Sequence, residues 1–353
     1  LMKQALLLTL IHPGIGGLLI RGQRGTAKST AVRALTGLLP PVTLVADCPF
    51  RCHPTDPSLM CDTCLERRRK GESLPSITAP YRLVNLPLGT TEDRLLGALD
   101  LEAALARGER RFAPGLLAQA NQSILYVDEV NLLGDHLVDL LLDAAALGVN
   151  YVEREGISFR HPSRFILVGT MNPEEGDLRP QLLDRFALSV EIRGIREARE
   201  RVMIMERNIA FEINGEGFRQ SWLPKEVELS RQIEAARQIV DQVTYTRRDL
   251  LSIASLTASL NVDGHRADLV ILKAARAQAA FDGRTAITDR DIALAAELAL
   301  PHRIKRGPFQ QSEMTMEELQ DRIEQLQGAS QSTGKTSEEA GEEEDEDFGQ
   351  KKK

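Results

Sequence analysis

The chain has 353 residues, 42% of them hydrophobic and 27% charged, which suits about two packed domains. Its formal charge of -7 comes from its end: residues 311–353 carry 13 acidic and 5 basic side chains, and the remainder is near neutral, which argues against a nucleic-acid partner. There is no run of 18 apolar residues to cross a bilayer.

The opening LMKQALLLTLIHPG is too short and too soon broken by Pro13 for a signal peptide, and reads as a packed helix. It begins without an initiator methionine and in mid-element, so a few residues of the natural domain are expected upstream. Next, GGLLIRG (16–22) reads as a short buried strand entering a glycine loop, and STAVRALTGLL as the helix after it. The loop between them follows the phosphate-binding spacing G-x-x-x-x-G-K followed by Ser or Thr. It runs Gly22, Gln23, Arg24, Gly25, Thr26, Ala27, Lys28, Ser29, Thr30, with Ala27 where the pattern has its last glycine. In such a loop the backbone amides point at phosphates, the lysine neutralises the β and γ oxygens and the hydroxyl of Ser29 ligates Mg²⁺. Ala27 fits if its φ lies in the helical region at the start of the helix. Taken alone, the same residues also describe a glycine-rich turn.

All four cysteines fall within residues 48–64 in the pattern C-x3-C-x8-C-x2-C: Cys48, Cys52, Cys61 and Cys64. Such clustering is no disulfide framework for a chain of this size and points to a reduced, cytosolic setting. Four thiolates in one loop suit tetrahedral Zn²⁺; reduced free thiols and an iron–sulfur cluster are the alternatives, with His53 as a substitute ligand.

Further along, SILYVDEVNLL (123–133), RFILVGTMNP (164–173) and FALSVEI (186–192) are apolar runs of the kind buried on both faces of a parallel sheet. The first leads into Asp128 and Glu129. A strand-end aspartate can hold the Mg²⁺ water shell and the glutamate can polarise an attacking water, which gives the lysine–serine loop its chemical partner. From about Pro224 the texture turns to helices alone, the last opening with Thr288 and Asp291 at capping-box spacing. These segments predict an α/β nucleotide-binding domain over 1–222, a small all-α domain over 223–306, and a linker and acidic tail over 307–353. In that tail MTMEELQDRIEQLQ forms one further helix and the rest lacks order. A chain ending just after such a linker is expected to be part of a larger natural protein.

The segments TEDRLLGALDLEAALARGERRFAPGLLAQAN, ILYVDEVNLL, VEREGISFRHPSRFILVGTMNPEEGDLRPQLLDRF and VDGHRADLV closely resemble the AAA+ ATPase subunit of magnesium chelatase and the ATPase modules of cobaltochelatases, from about Ala5 to about Arg306. The resemblance implies a P-loop AAA+ three-layer α/β/α domain with a parallel sheet, followed by a helical lid. It implies an ATP- and Mg²⁺-dependent motor, in a homo-oligomeric ring of six, that drives Mg²⁺ or Co²⁺ insertion into a tetrapyrrole. Its partners would be a von Willebrand factor A chelatase subunit or domain and a large catalytic subunit.

Residue by residue, Asn172 resembles the sensor asparagine, Arg185 the arginine finger that reaches a neighbouring protomer's site, and Arg266 the second sensor. Without the resemblance Arg185 reads as a surface ion pair and Arg266 as a solvated helix start. Residues 90–115 resemble a helix insertion and residues 150–165 a hairpin insertion. The cysteines depart from the subunits of photosynthetic organisms and resemble chelatase-like fusion proteins. A MoxR-type AAA+ chaperone and a weakly hydrolysing regulatory chelatase subunit are the alternative readings.

Overall fold

The computed structural model describes residues 1–23, 25–100, 112–154, 157–195, 197–304, 318–323 and 325. Eleven strands are described: β1 (Leu18–Gly22), β2 (Val42–Val45), β3 (Ser76–Ala79), β4 (Leu83–Leu86), β5 (Gly97–Leu99), β6 (Phe112–Pro114), β7 (Ser123–Val127), β8 (Val149–Arg154), β9 (Ile157–Pro162), β10 (Phe165–Met171) and β11 (Leu188–Ile192). Five of them form one parallel sheet in the order β11-β1-β10-β7-β4. Thus β1, which delivers the phosphate-type loop, lies between β10 and β11, with β7 next to β10.

The period of two in each strand sorts the core into two layers. Leu18, Ile20, Ile124, Ile166, Val168, Leu188 and Val190 face one side, in a buried cluster continuous with the first helix (Met2–Ile11) and the C-terminal helices. Leu19, Leu125, Val127, Phe165 and Leu167 face the other, against the helices Leu116–Ala120, Asp135–Leu147 and Pro180–Arg185. The three-layer α/β expectation holds. The predicted strands are found within their runs, whereas β4 at the sheet edge and the small pairs β2–β3 and β5–β6 carry no comparable apolar run.

The C-terminal part consists of the helices Gly215–Ile239, Arg247–Ser259, Arg266–Phe281 and Asp289–Ala299. Both Thr288 and Thr246 open their helices with a full capping box. The boundary expected at 222–223 falls inside the helix Gly215–Ile239, which carries Pro224 in its interior. Pro224 and Gln220 are both exposed, where solvent can replace the donor that the ring removes, and the helix continues. Another helix, Ala198–Ile213, precedes it, so helical texture begins well before the proline. The hairpin expected at 150–165 is β8–β9. Residues 101–111 of the expected helix insertion lie outside the described residues, and so does most of the tail. Residues 318–323 are helical and dock on the helical domain through buried Leu319 and Ile323.

His302 ties that domain to the sheet by donating from Nε2 to the Phe186 carbonyl at 2.9 Å. Burial, with the Arg303 guanidinium beside it, pushes the His302 imidazole down to about 3 from an ordinary 6.5. The folded chain therefore refuses a proton that the unfolded chain takes up below about pH 6.5, so stability is full above that pH and falls on acidification. Between pH 7 and 5 the wild type should lose about 2 kcal/mol more than His302→Gln, read by urea unfolding. Equal losses would contradict a neutral buried imidazole.

Candidate nucleotide-binding site

The loop after β1 is built around residues that need unusual backbone. A Cβ on Gly22 would meet the Ile192 carbonyl oxygen of β11 at 2.5 Å, so only glycine lets the two strand ends approach. Gly25 has φ 77° and Ala27 has φ 57°. Ala27 is the N-cap of the helix Lys28–Ala34 and lies in the left-handed region, not in the helical region in which the sequence made it fit. An alanine there is strained by about 1–2 kcal/mol.

The sign of one substitution tests that geometry. Ala27→Gly removes the strain at an unfolded-state cost of about 0.5–1 kcal/mol, for a net gain of up to about 1 kcal/mol in urea unfolding. A loss of about 1 kcal/mol would place Ala27 in right-handed helix instead.

Lys28 Nζ donates to the carbonyls of Gly22 and Gln23, the latter at 3.1 Å, which holds the ammonium over the loop. Burial lowers its pKa, and the carboxylates of Asp128, Glu129 and Glu175 oppose that shift. A cavity of about 280 Å³ opens there, lined by residues 25–30, 128–129 and 170–172. That volume fits a phosphate chain better than a whole nucleotide, since pockets that enclose a complete ligand start at about 300 Å³. Gly22 and Gln23 are not among the lining residues, and Arg24 lies outside the described residues.

Two residues that the sequence reading passed over fix the acids. Thr170 Oγ1 donates to Asp128 Oδ1 at 2.6 Å, and the Tyr126 hydroxyl lies 2.8 Å from the same oxygen and 2.9 Å from Ser29 Oγ. Burial first, then the Asp128 carboxylate, raises the Tyr126 pKa, so the phenol keeps its proton. Tyr126 therefore joins the serine of the loop to the strand-end aspartate. The signal was available, because Tyr126 precedes Asp128 by two at the end of a strand, where alternate residues share a face. Thr170 also accepts from the Glu129 amide at 3.2 Å, and Glu129 has φ 53°. A glutamate held in the left-handed region and aimed at a cavity is strain of the kind that functional sites store.

Asn172, just past the end of β10, is buried in the cavity wall, and its Oδ1 accepts from the Glu174 amide at 3.3 Å. Arg185 and Arg266 are not among the cavity's lining residues. Arg185, at the end of the helix Pro180–Arg185, pairs with Asp139 and Asp143, one turn apart on the helix Asp135–Leu147. Arg266 opens the helix Arg266–Phe281 and lies 3.6 Å from Asp184.

A second cluster lies away from this cavity. The Sγ atoms of Cys48, Cys52, Cys61 and Cys64 all lie within 4.8 Å of one another, at 3.5 Å for Cys48–Cys52 and 3.8 Å for Cys48–Cys61. Four thiolates about 2.3 Å from a tetrahedral Zn²⁺ would stand about 3.8 Å apart, so the cage fits that ion, and it leaves no room for a multi-iron cluster. Hydrogen bonding to Cys48 holds the Cys61 thiol below its ordinary range and pushes Cys52 and Cys64 above it. His53 takes no part, because its Nδ1 accepts from the amides of Thr55 and Asp56.

Family models for the AAA domain of the dynein-related subfamily and for the AAA lid domain match residues 71–186 and 250–323. The first span holds Asp128, Glu129, Asn172 and Arg185, and the second holds Arg266. Across 325 residues, 92% of the chain and 88% of the relative, the sequence is 47% identical to the magnesium-chelatase subunit ChlI homolog of Methanocaldococcus jannaschii. The chain belongs to this family of AAA ATPases. To subunit ChlI of Nephroselmis olivacea the family identity is 51% over 309 residues, 88% of this chain and 87% of that one. Among solved structures, a chain in the complex between subunits BchI and BchD of magnesium chelatase, built from a cryo-EM reconstruction, is 46% identical. It matches with a TM-score of 0.50 over 90% of this chain and 95% of that one.

Proposed function

We propose that the chain is the ATP-hydrolysing motor of a metal chelatase, driving insertion of Mg²⁺ or Co²⁺ into a tetrapyrrole held by a larger subunit. What carries the reading is the gathering of Lys28, Asp128, Glu129 and Asn172 around one cavity in a chelatase-family chain. Residues 25–30 present backbone amides to the phosphates and Lys28 neutralises their charge. Ser29 and Asp128 would hold Mg²⁺, which would supply positive charge against the phosphate oxygens. Glu129 takes the proton of the attacking water, and Asn172 orients that water beside the terminal phosphate.

Arg185 acts in trans. It lies outside its own cavity, on a helix whose acidic neighbours hold it until a nucleotide-loaded protomer docks, and a ring of six supplies that neighbour. Positive charge lent across an interface couples hydrolysis to assembly. Arg266 reports the nucleotide state to the helical domain. The four cysteines hold a structural Zn²⁺ in the reducing cytosol. The partners are a von Willebrand factor A chelatase subunit and a large tetrapyrrole-binding subunit.

Reconstitution tests this directly. With both partners and a tetrapyrrole, ATP should support insertion of Mg²⁺ or Co²⁺, followed by the change in porphyrin absorbance. ATP turnover indifferent to both partners, with neither metal inserted, would contradict it.

A further inference from the structure

The arginine at 303 is 1% exposed at its side chain, yet every one of its nitrogens has an acceptor. Nε donates to Asp184 Oδ1 at 3.0 Å. Nη2 donates to the main-chain oxygens of Asp184 at 2.9 Å and Phe186 at 2.6 Å, while Nη1 donates to that of Ala187 at 2.9 Å and to that of Ala299 in its own domain. One guanidinium thus grips the backbone on both sides of Arg185. A planar fork with five donors can do this and an ammonium cannot.

The Asp184 carboxylate is shared. Its Oδ1 faces Arg303 and its Oδ2 lies 3.6 Å from Arg266, so two arginines of the helical domain converge on it, one from the start of the helix Arg266–Phe281 and one from just past the last helix. Nothing in the phosphoryl-transfer chemistry of the cavity uses either contact. Both meet the chain one residue before Arg185, at the end of the only helix turn that carries it.

We propose that Asp184, gripped by Arg303 and approached by Arg266, is the joint through which the helical domain positions Arg185 toward a neighbouring protomer. Asp184 and Arg303 are positioning residues: they touch no nucleotide and set where the donated charge stands. Any shift of Arg266 on nucleotide binding is felt first at the carboxylate next to Arg185. The inference rests on Arg185 acting in trans.

The test is subunit mixing with the full chain, using Asp184→Asn, which keeps the shape at a half-exposed position, and Arg303→Lys as a second variant. Asp184→Asn should bind a fluorescent ATP analogue as the wild type does and lose turnover on the order of a hundredfold, the scale of an ångström-sized misplacement. Mixed one to one with Lys28→Ala, whose loop is dead but whose Arg185 is well placed, turnover should return to about a quarter of the wild type. Half of the chains then keep an intact loop and half of those face a sound donor. Arg303→Lys should behave alike. An Arg185→Ala plus Lys28→Ala mixture sets the reference. Recovery in the reference but not with Asp184→Asn overturns the joint and leaves Arg185 in trans standing; no recovery in the reference overturns both. Wild-type turnover by Asp184→Asn and Arg303→Lys alone also overturns the joint.

Discussion

Lys28→Ala and Glu129→Gln should each lower steady-state ATP turnover by about 100- to 1,000-fold, the scale for removing one preorganised group that acts on developing charge. The two should differ in binding. Lys28 sits over the loop in the cavity lining, so its removal should weaken nucleotide affinity as well as rate. Glu129 stands across the cavity on strained backbone, with its amide fixed by Thr170, and its amide variant should bind nucleotide normally and fail to cleave it. Thr170→Val should follow Glu129→Gln more mildly, because it removes one of the two hydrogen bonds on Asp128 Oδ1 together with the acceptor of the Glu129 amide. Turnover unchanged by Lys28→Ala or Glu129→Gln would mean that the loop is a nucleotide platform and no motor.

The cysteine cage should hold about one Zn²⁺ per chain, and Cys61→Ser with Cys64→Ser should hold close to none. Protein purified under reducing, anaerobic conditions and analysed for metals decides this; absence of metal from the wild type would contradict the assignment. The cage is bound into its surroundings rather than standing alone. Phe50, inside the cysteine loop, stacks on Phe159 of β9 with ring centroids 5.1 Å apart and on Phe112 of β6 at 6.1 Å. Asn121 Nδ2 donates to the carbonyls of Phe50 and Arg51, directly before β7. Losing the metal should therefore loosen the cysteine loop and the β8–β9 hairpin, seen as faster proteolysis at residues 48–64 and 149–162, while ATP binding persists at the separate cavity.

The sequence made the chemistry more legible than the framework. Lys28 and Ser29 stood out by loop spacing, Asp128 and Glu129 as acids closing an apolar strand run, and Asn172 only through the resemblance; the fold gathers all five around one cavity. Strand order was not readable, since pairing of β1 with β10 and β11 is decided by packing between distant segments. The edge strand β4 has only one buried residue, Leu86, and so lacked an apolar run. Tyr126 and Thr170 hid inside strands that read as core, and their hydroxyls show a purpose only once β7 and β10 are neighbours. Ala27 was judged by its neighbours in sequence, whereas its φ is set by the turn between strand and helix. Arg303 belongs to no motif in the sequence, and only the folded chain brings it against the carbonyls of Asp184, Phe186 and Ala187.

If Arg185 acts in trans, each active site is completed by a second copy of the chain. ATP turnover per chain over a dilution series spanning assembly, for the wild type and Arg185→Ala, measures that dependence. The wild type should lose turnover as the assembly dissociates, and Arg185→Ala should stay low at every concentration. Turnover per chain independent of both dilution and Arg185 would show each protomer to be complete alone.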